Sequence, residues 1–316
     1  MRSPDRLSLV LAFATCALVA TACGDDGGAS ASGSGTGGAG GAAPAPNEFR
    51  FETSSYEVKA GEEINYYCFT TTIPDDAEMV VRKITPLYGK ATHHLGVYTV
   101  LGNSEPEGAF VCPELTRETW IPLYGGGVES GSLELPEGSG FKLKAGQQVL
   151  VQLHLLNATG KDVNDKATIV FETTDAPDVI PAGMYGMDNR DIRVPALGSN
   201  VEQSMTCAKA GRTMDVFAVF GHMHQAGKVI ELSRGAVPGE EILYRNDAYN
   251  FDDQPTQPAS FHIDENDQLH LRCWYDNATD MEMAYGESTF DEMCSFVLYH
   301  TPYEGLFGCL KEPAAP

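Results

Sequence analysis

The chain reads as an all-β protein, built as two antiparallel β-sandwich (jelly-roll-like) domains in tandem. Three observations predict this. From Glu48 onward apolar residues recur with period two rather than period three to four, turn-forming residues punctuate the pattern every ten or so positions, and no stretch beyond the N-terminal leader carries a capped helical stripe. The alternating runs are, in order, 64–73 (INYYCFTTTI), 91–100 (ATHHLGVYTV), 147–156 (QQVLVQLHLL), 167–173 (ATIVFET), 214–224 (MDVFAVFGHMH), 268–275 (QLHLRCWY) and 292–300 (EMCSFVLYH). A Pro/Asp-rich joint, TTDAPD at 173–178, interrupts the series and places a domain boundary there, giving domains at 47–177 and 178–316. No internal repeat of fixed period is visible.

The N-terminus has a different character. Arg2 and Arg6 precede an apolar run over 7–22 that ends in small residues before Cys23. This pattern is an export signal rather than a lasting membrane span. The small residues before Cys23 resemble a bacterial lipobox, so 1–22 is expected to be a lipoprotein signal peptide and Cys23 a lipidated mature N-terminus. The Gly/Ala/Ser-rich stretch at 24–46 lacks large apolar residues and reads as a flexible tether of roughly 25 Å. The expected location is the cell envelope, with membrane contact through the lipid anchor only. A formal net charge of −23 argues against nucleic acid and anionic lipid surfaces as partners.

Of the eight cysteines, Cys16 lies in the leader and Cys23 is the lipid site. The other six, Cys68, Cys112, Cys207, Cys273, Cys294 and Cys309, read as three disulfides in an exported protein, and residue spacing leaves the pairing open. Two sequons, Asn157-Ala158-Thr159 and Asn277-Ala278-Thr279, read as incidental in a lipoprotein.

The candidate chemistry is carried by histidines. On a strand His222 and His224 point to the same face, continuing Phe220 and Ala218, and two such imidazoles can share a metal ion if a third ligand arrives from elsewhere. Adjacent His93 and His94 would face opposite ways on a regular strand and could share an ion only where the strand twists or bulges. His154 shares a face with Gln152 and is either a satisfied core histidine or a ligand. Met293, in the Glu292-Met293-Cys294 triplet, offers a thioether, a donor that suits copper, Cu(I) above all. Met223, between the two histidines of the pair, faces the other way and reads as core packing. His262, His270 and His300 read as surface or structural residues.

In this order the motifs HH (His93, His94), QxH (Gln152, His154), HxHxxGK (from His222 to Lys228) and EMC (Glu292 to Cys294) resemble the copper type II, ascorbate-dependent monooxygenases, over about Phe49 to Cys309. The resemblance implies two coppers per chain, one in each domain. His93, His94 and His154 would hold the copper that stores an electron from ascorbate or an equivalent reductant. His222, His224 and Met293 would form the catalytic copper site, where O2 is used to attack a substrate C–H bond. It also implies the pairs Cys68–Cys112, Cys207–Cys309 and Cys273–Cys294, and it makes Gln152 a possible neighbour of the electron-transfer path. In the peptide-amidating members an Arg two residues before the HxH, and an Asn and a Tyr two and four residues after the Met, grip the substrate carboxylate. Here those positions hold Phe220, Ser295 and Val297. The expected activity is therefore hydroxylation of an uncharged or aromatic-containing small molecule by a monomeric enzyme. An envelope copper-binding or electron-transfer protein without turnover, and a metal-free adhesion module with structural histidines, remain the alternatives at this stage.

Overall fold

Strands dominate the computed structural model, which describes residues 47–74, 78–112, 114–115, 117–127, 130–305 and 307–313; the one helical element among them is a 3-10 turn at Leu101–Asn103. The expected leader at 1–22, the lipidated Cys23 and the tether to residue 46 lie outside the described residues.

Two large sheets come from the first half of the chain. One runs Glu48–Glu52, Thr168–Thr173, Met79–Leu87, Ser139–Leu143, Ile180–Pro181, with Leu133–Glu134 added on Met79–Leu87. The other runs Gly108–Val111, Glu63–Thr72, Gln148–Leu156, Thr92–Val100, Trp120–Gly127. The second half repeats the plan. Gln257–Ile263, Met214–His222, Ser295–Thr301, Gly183–Asn189 and Phe307–Lys311 form one sheet, and Val201–Cys207, Leu269–Tyr275, Gly227–Arg234 and Glu241–Asn246 the other. Strand pairs are antiparallel except where Ile180–Pro181 meets Ser139–Leu143 and where Phe307–Lys311 meets Gly183–Asn189. The three disulfides join Cys68 to Cys112, Cys207 to Cys309 and Cys273 to Cys294, the pairs that the resemblance implies.

The apolar sides of the sheets close on two cores, and one core belongs to both halves. Phe69, Val97, Leu123, Tyr124, Val151 and Leu153 of the first half pack in the same cluster as Met184, Ala218, Phe220 and Tyr299 of the second. A β-bulge makes this possible. Between Val216 and Ala218 the strand Met214–His222 slips by one residue against Ser295–Thr301, so Phe217 is the extra residue. The slip switches the alternation. Met214 and Val216 before it, and Val219 and Met223 after it, face the second half's own core, while Ala218 and Phe220 face the first half. His222 continues the Ala218–Phe220 side, as the period-two reading expects. Each large side chain buried this way contributes about 1.5–3 kcal/mol. Polar contacts reinforce the junction: Gly125 N donates to Tyr299 Oη (2.9 Å), and Tyr299 Oη and Thr256 Oγ1 donate to Gly125 O (3.1 and 3.2 Å).

The two Asn-Ala-Thr triplets have a structural job. Asn157 Nδ2 donates to the carbonyls of Val58, Lys59 and Lys161, and its Oδ1 accepts from Thr159 N and Oγ1. Asn277 Nδ2 donates to the carbonyls of Val194, Pro195 and Met281, and its Oδ1 accepts from Thr279 N and Oγ1. Both asparagines are buried. Each ties the end of a long strand to a two-stranded ribbon, Tyr56–Val58 with Val163–Asp165 in one half and Arg193–Val194 with Met283–Ala284 in the other. The same knot therefore occurs once per half. This is an internal correspondence that residue periodicity does not display, because it lives in hydrogen-bond geometry around only three shared residues.

Candidate metal centre

His93 and His94 sit at the start of the strand Thr92–Val100, which pairs with Gln148–Leu156. The register passes from His154↔His94 to Leu155↔Thr92, so His93 is skipped and bulges out of the ladder. That bulge is the condition under which neighbouring histidines can share a face. His93 Nδ1 lies 3.2 Å from His94 Nδ1, which lies 3.2 Å from His154 Nδ1. Ligand atoms of all three fall within 4.8 Å of one another. His154 Nε2 is 2.9 Å from Glu63 Oε1, and Glu63 also accepts from the backbone and hydroxyl of Thr289. Burial pushes the Glu63 carboxyl up, but hydrogen bonds from Thr289 and His154 outweigh it and hold the group below its ordinary value. The Phe251 ring covers His93 at 4.3 Å between centroids, and His93 Nε2 is buried without a hydrogen-bond partner.

The second set forms where the strand Met214–His222 ends. The alternating run was expected to continue to His224; the strand stops at His222 because the following backbone turns to a carboxylate. His224 N and Ala226 N donate to the two oxygens of Glu292 (3.0 and 2.7 Å), and Tyr249 Oη meets both the N and the O of Met223. Burial, only partly opposed by those amides, pushes Glu292 up to about 7. A carbonyl oxygen can only accept, so the partners fix the ring tautomers. His224 Nδ1 donates to Asp291 O (3.1 Å) and His222 Nδ1 to Gln254 Oε1 (2.7 Å), which leaves the lone pair of Nε2 free on both rings. Met293 is buried, its carbonyl accepts from Tyr275 Oη (2.7 Å), and the adjacent Cys294 is tied to Cys273. Met223 is fully buried in the second half's core, as expected of a packing residue.

The five rings are held as neutral imidazoles. Burial first, then the neighbouring histidines, pushes His93 down to about 4 and His222 down to about 3. Burial also carries His224 down to about 4 against the Asp291 carbonyl, drives His94 well below its ordinary value, and lowers His154 despite Glu63. A neutral imidazole with an available lone pair is the ligand form.

Although the sheets divide between Pro181 and Gly183, the two sets meet. His94, His154, His222, His224 and Met293 line one cavity of about 260 Å³, and the rings of His94 and His222 are 4.8 Å apart. Gln254 stands between them, with Nε2 2.9 Å from His94 Nε2 and Oε1 on His222. Sequence reasoning singled out neither Gln254 nor Phe251 nor Glu63, since none sits in a spacing that signals chemistry. Gln152 also lines the cavity, with its amide held by Glu114 O at 2.9 Å. Of the other histidines, His262 is an exposed partner of Asp215 (2.7 Å), while His270 and His300 are buried away from this site.

Residues 180–313 match the copper type II ascorbate-dependent monooxygenase, C-terminal domain. Through this match the second half of the chain is similar to the copper type II ascorbate-dependent monooxygenase family. Rat peptidylglycine alpha-amidating monooxygenase is 25% identical over 270 residues, which is 80% of this chain and 27% of that protein. The human putative DBH-like monooxygenase protein 2 is 29% identical over 111 residues, 33% of this chain and 22% of that protein. The chain thus spans about a quarter of the length of the rat relative. Among solved structures, the major capsid protein P2 of bacteriophage PM2 aligns with 82% of this chain and 100% of its own at 9% identity and a TM-score of 0.37, too distant to carry an argument.

Phe220, Ser295 and Val297, which stand where the amidating members are expected to grip a carboxylate, all line the cavity, together with Tyr66, Tyr98, Tyr124 and Leu115. Ser295 is turned away, donating to Asp188 at 2.6 Å. Among the described residues the lining contains no Lys or Arg, and Glu287 is its one carboxylate. Burial raises the Glu287 carboxyl above its ordinary value.

Proposed function

We propose that this chain is a copper-dependent monooxygenase that hydroxylates a C–H bond of a small, largely apolar molecule, using O2 and ascorbate or an equivalent one-electron reductant. The observation that carries this reading is the shared cavity: two sets of soft and imidazole donors open onto one apolar chamber instead of onto separate surfaces. The donors fit copper. Three neutral imidazoles converge through Nδ1 in one set, two present free Nε2 atoms in the other, a buried methionine lines the same cavity, and thioether with imidazole is a copper donor set rather than a magnesium or calcium one. His93, His94 and His154 would hold one ion and His222, His224 and Met293 the other. Bound copper would supply the one-electron steps and the chemistry of O2.

The protein's own residues do the rest. Glu63 orients His154 and Gln254 orients His222, each by a hydrogen bond to the nitrogen that faces away from its set, and such partners tune ligand affinity by about 10- to 100-fold. Glu292 fixes the turn that carries His224. Phe220, Val297 and the three tyrosines exclude water and favour an apolar substrate body. Copper-loaded protein is expected to consume O2 with ascorbate and form a hydroxylated product from neutral aromatic probes, while a glycine-extended peptide is expected to release no glyoxylate. The missing cation removes a charge-assisted contact for such a carboxylate. Glyoxylate release would overturn this assignment of the cavity. Copper retention with no ascorbate-driven O2 uptake against a panel of small molecules would leave a copper-binding or electron-transfer protein. The three disulfides support an exported protein, and with the lipobox-like leader we place it in the cell envelope on a lipid anchor at Cys23.

A further inference from the structure

Two histidines of the first set, His154 and His93, turn their outer nitrogen toward a carboxylate, one from each half of the chain. His154 Nε2 meets Glu63 Oε1 at 2.9 Å, a completed hydrogen bond. His93 Nε2 lies 4.0 Å from Asp252 Oδ1, too far for one, and is buried without a hydrogen-bond partner. The Glu63 side chain is 18% exposed and already engaged, whereas that of Asp252 is 84% exposed and has room to turn. The backbone beneath Asp252 is held in place. Asp252 N donates to Asn250 Oδ1 (3.1 Å) and Asp253 N to Asn250 O (3.1 Å), while Gln254 O accepts from Ser130 Oγ (2.5 Å) and Gly127 N (3.4 Å) of the first half. The same turn lays the Phe251 ring on His93. A docked loop of the second half thus brings a carboxylate to within a side-chain rotation of a buried imidazole nitrogen that lacks a partner.

We propose that Asp252 is a positioning residue for His93, its carboxylate turning in to accept from Nε2–H when the ring holds an ion through Nδ1. This rests on the assignment of His93, His94 and His154 to copper. The tautomer dictates the need. A neutral ring that gives its Nδ1 lone pair to a metal carries its proton on Nε2, and a buried N–H without an acceptor is costly. Metal binding also leaves the ring partly positive, which draws the carboxylate and strengthens the bond. Asp252 then does for His93 what Glu63 does for His154. Two carboxylates behind one set of neutral rings favour the higher charge on its ion, so Cu(II) is held more firmly relative to Cu(I). The consequence is a lowered reduction potential for the ion held by the first set.

The test loads the full chain with copper and titrates it against chelators of known affinity, once with Cu(II) and once, anaerobically, with Cu(I). Asp252→Ala is expected to keep both binding sites and to lose about 10- to 100-fold in Cu(II) affinity at one of them, with a smaller loss for Cu(I), the size of effect that partners of metal ligands produce. Each tenfold loss confined to Cu(II) raises the reduction potential of that ion by about 59 mV. A redox titration followed by the Cu(II) paramagnetic resonance signal reads that shift without turnover. Asp252→Asn, which keeps an acceptor and drops the charge, is expected to fall between Asp252→Ala and the unmodified chain. Asp253→Asn removes the same charge from the next exposed residue of the loop and is expected to leave affinity and potential nearly unchanged, since water and salt screen an exposed charge. Unchanged Cu(II) affinity in Asp252→Ala, with two coppers retained, would overturn the role of Asp252 and leave the ligand assignment standing. Equal losses in Asp252→Ala and Asp253→Asn would also overturn it, because the general field of an acidic loop would then account for the effect. Equal losses of Cu(II) and Cu(I) with a lower urea midpoint would reduce Asp252 to a structural residue. An unmodified chain that binds no copper would sink the copper reading itself.

Discussion

The unmodified chain is expected to hold two coppers, and Met293→Ile to leave a folded chain that holds one and whose ascorbate-driven product formation falls below detection. The substitution nearly conserves volume, and such swaps in a packed interior cost less than about 1.5 kcal/mol. What it removes is the sulfur. Met293 is 3% exposed and its backbone is fixed by Tyr275 Oη on its carbonyl and by the Cys273–Cys294 bridge on the next residue, so an isoleucine there keeps the place of the side chain and lacks its donor. His222→Ala is expected to lose the same copper, and His94→Ala the other one, with His222, His224 and Met293 still loaded. The opposite pairing of losses would exchange the ligand sets, and copper contents unaffected by all three substitutions would show that the metal sits elsewhere. Elemental analysis after dialysis against a weak chelator reads each outcome directly, and a thermal melt of each variant separates a lost ligand from a lost fold.

How far the sequence carries can be judged residue by residue. The period-two runs specify strands because side chains alternate across a sheet, and the chain is all-β as they predict. The two bulges show where periodicity stops being informative. Nothing in THHLG says that His93 leaves the ladder, although the pattern does say that only a bulge would let both histidines cooperate, and the register at Thr92 and His94 supplies one. Nothing in MDVFAVFGH reveals the slip at Phe217 that turns Ala218 and Phe220 toward the other half of the chain. The motif residues were legible because each sits in a short, chemically unusual spacing. Gln254 and Glu63 were not, because their roles arise from contacts over a sequence separation of 160 residues for Gln254 with His94, and 91 for Glu63 with His154. The Asn-Ala-Thr triplets read as incidental sequons, and their buried Nδ2 atoms, already engaged by backbone carbonyls, agree with that; the knots they form are a contact property that the sequence does not display.

Those knots carry the largest stability effect expected outside the cores. Asn277→Ala is expected to destabilise the protein by about 3 kcal/mol or more, seen as a lower urea midpoint. The asparagine serves three carbonyls, of Val194, Pro195 and Met281, and accepts from the N and Oγ1 of Thr279. At 2% exposure water does not reach Nδ2 in the folded chain, and each buried polar group left without a partner costs about 1–3 kcal/mol. Even if relaxation lets water satisfy the Thr279 groups, which lie near the surface, the three carbonyls remain. Asn277→Asp is expected to be no better: it keeps the acceptor for Thr279 but turns an oxygen toward three oxygens. Thr279→Val removes only the hydroxyl bonds to Asn277 and Met281 and should cost about 1 kcal/mol, the ordinary net worth of such contacts. Against a typical domain stability of about 5–15 kcal/mol, the Asn277 loss is a large fraction. Asn157→Ala should match it, because the carbonyls of Val58, Lys59 and Lys161 stand in the same relation to that side chain. A loss below about 1 kcal/mol at both positions would mean that water replaces the amide freely and that the knots do not hold the ribbons to the sandwiches. A large loss at one position alone would break the correspondence between the two halves.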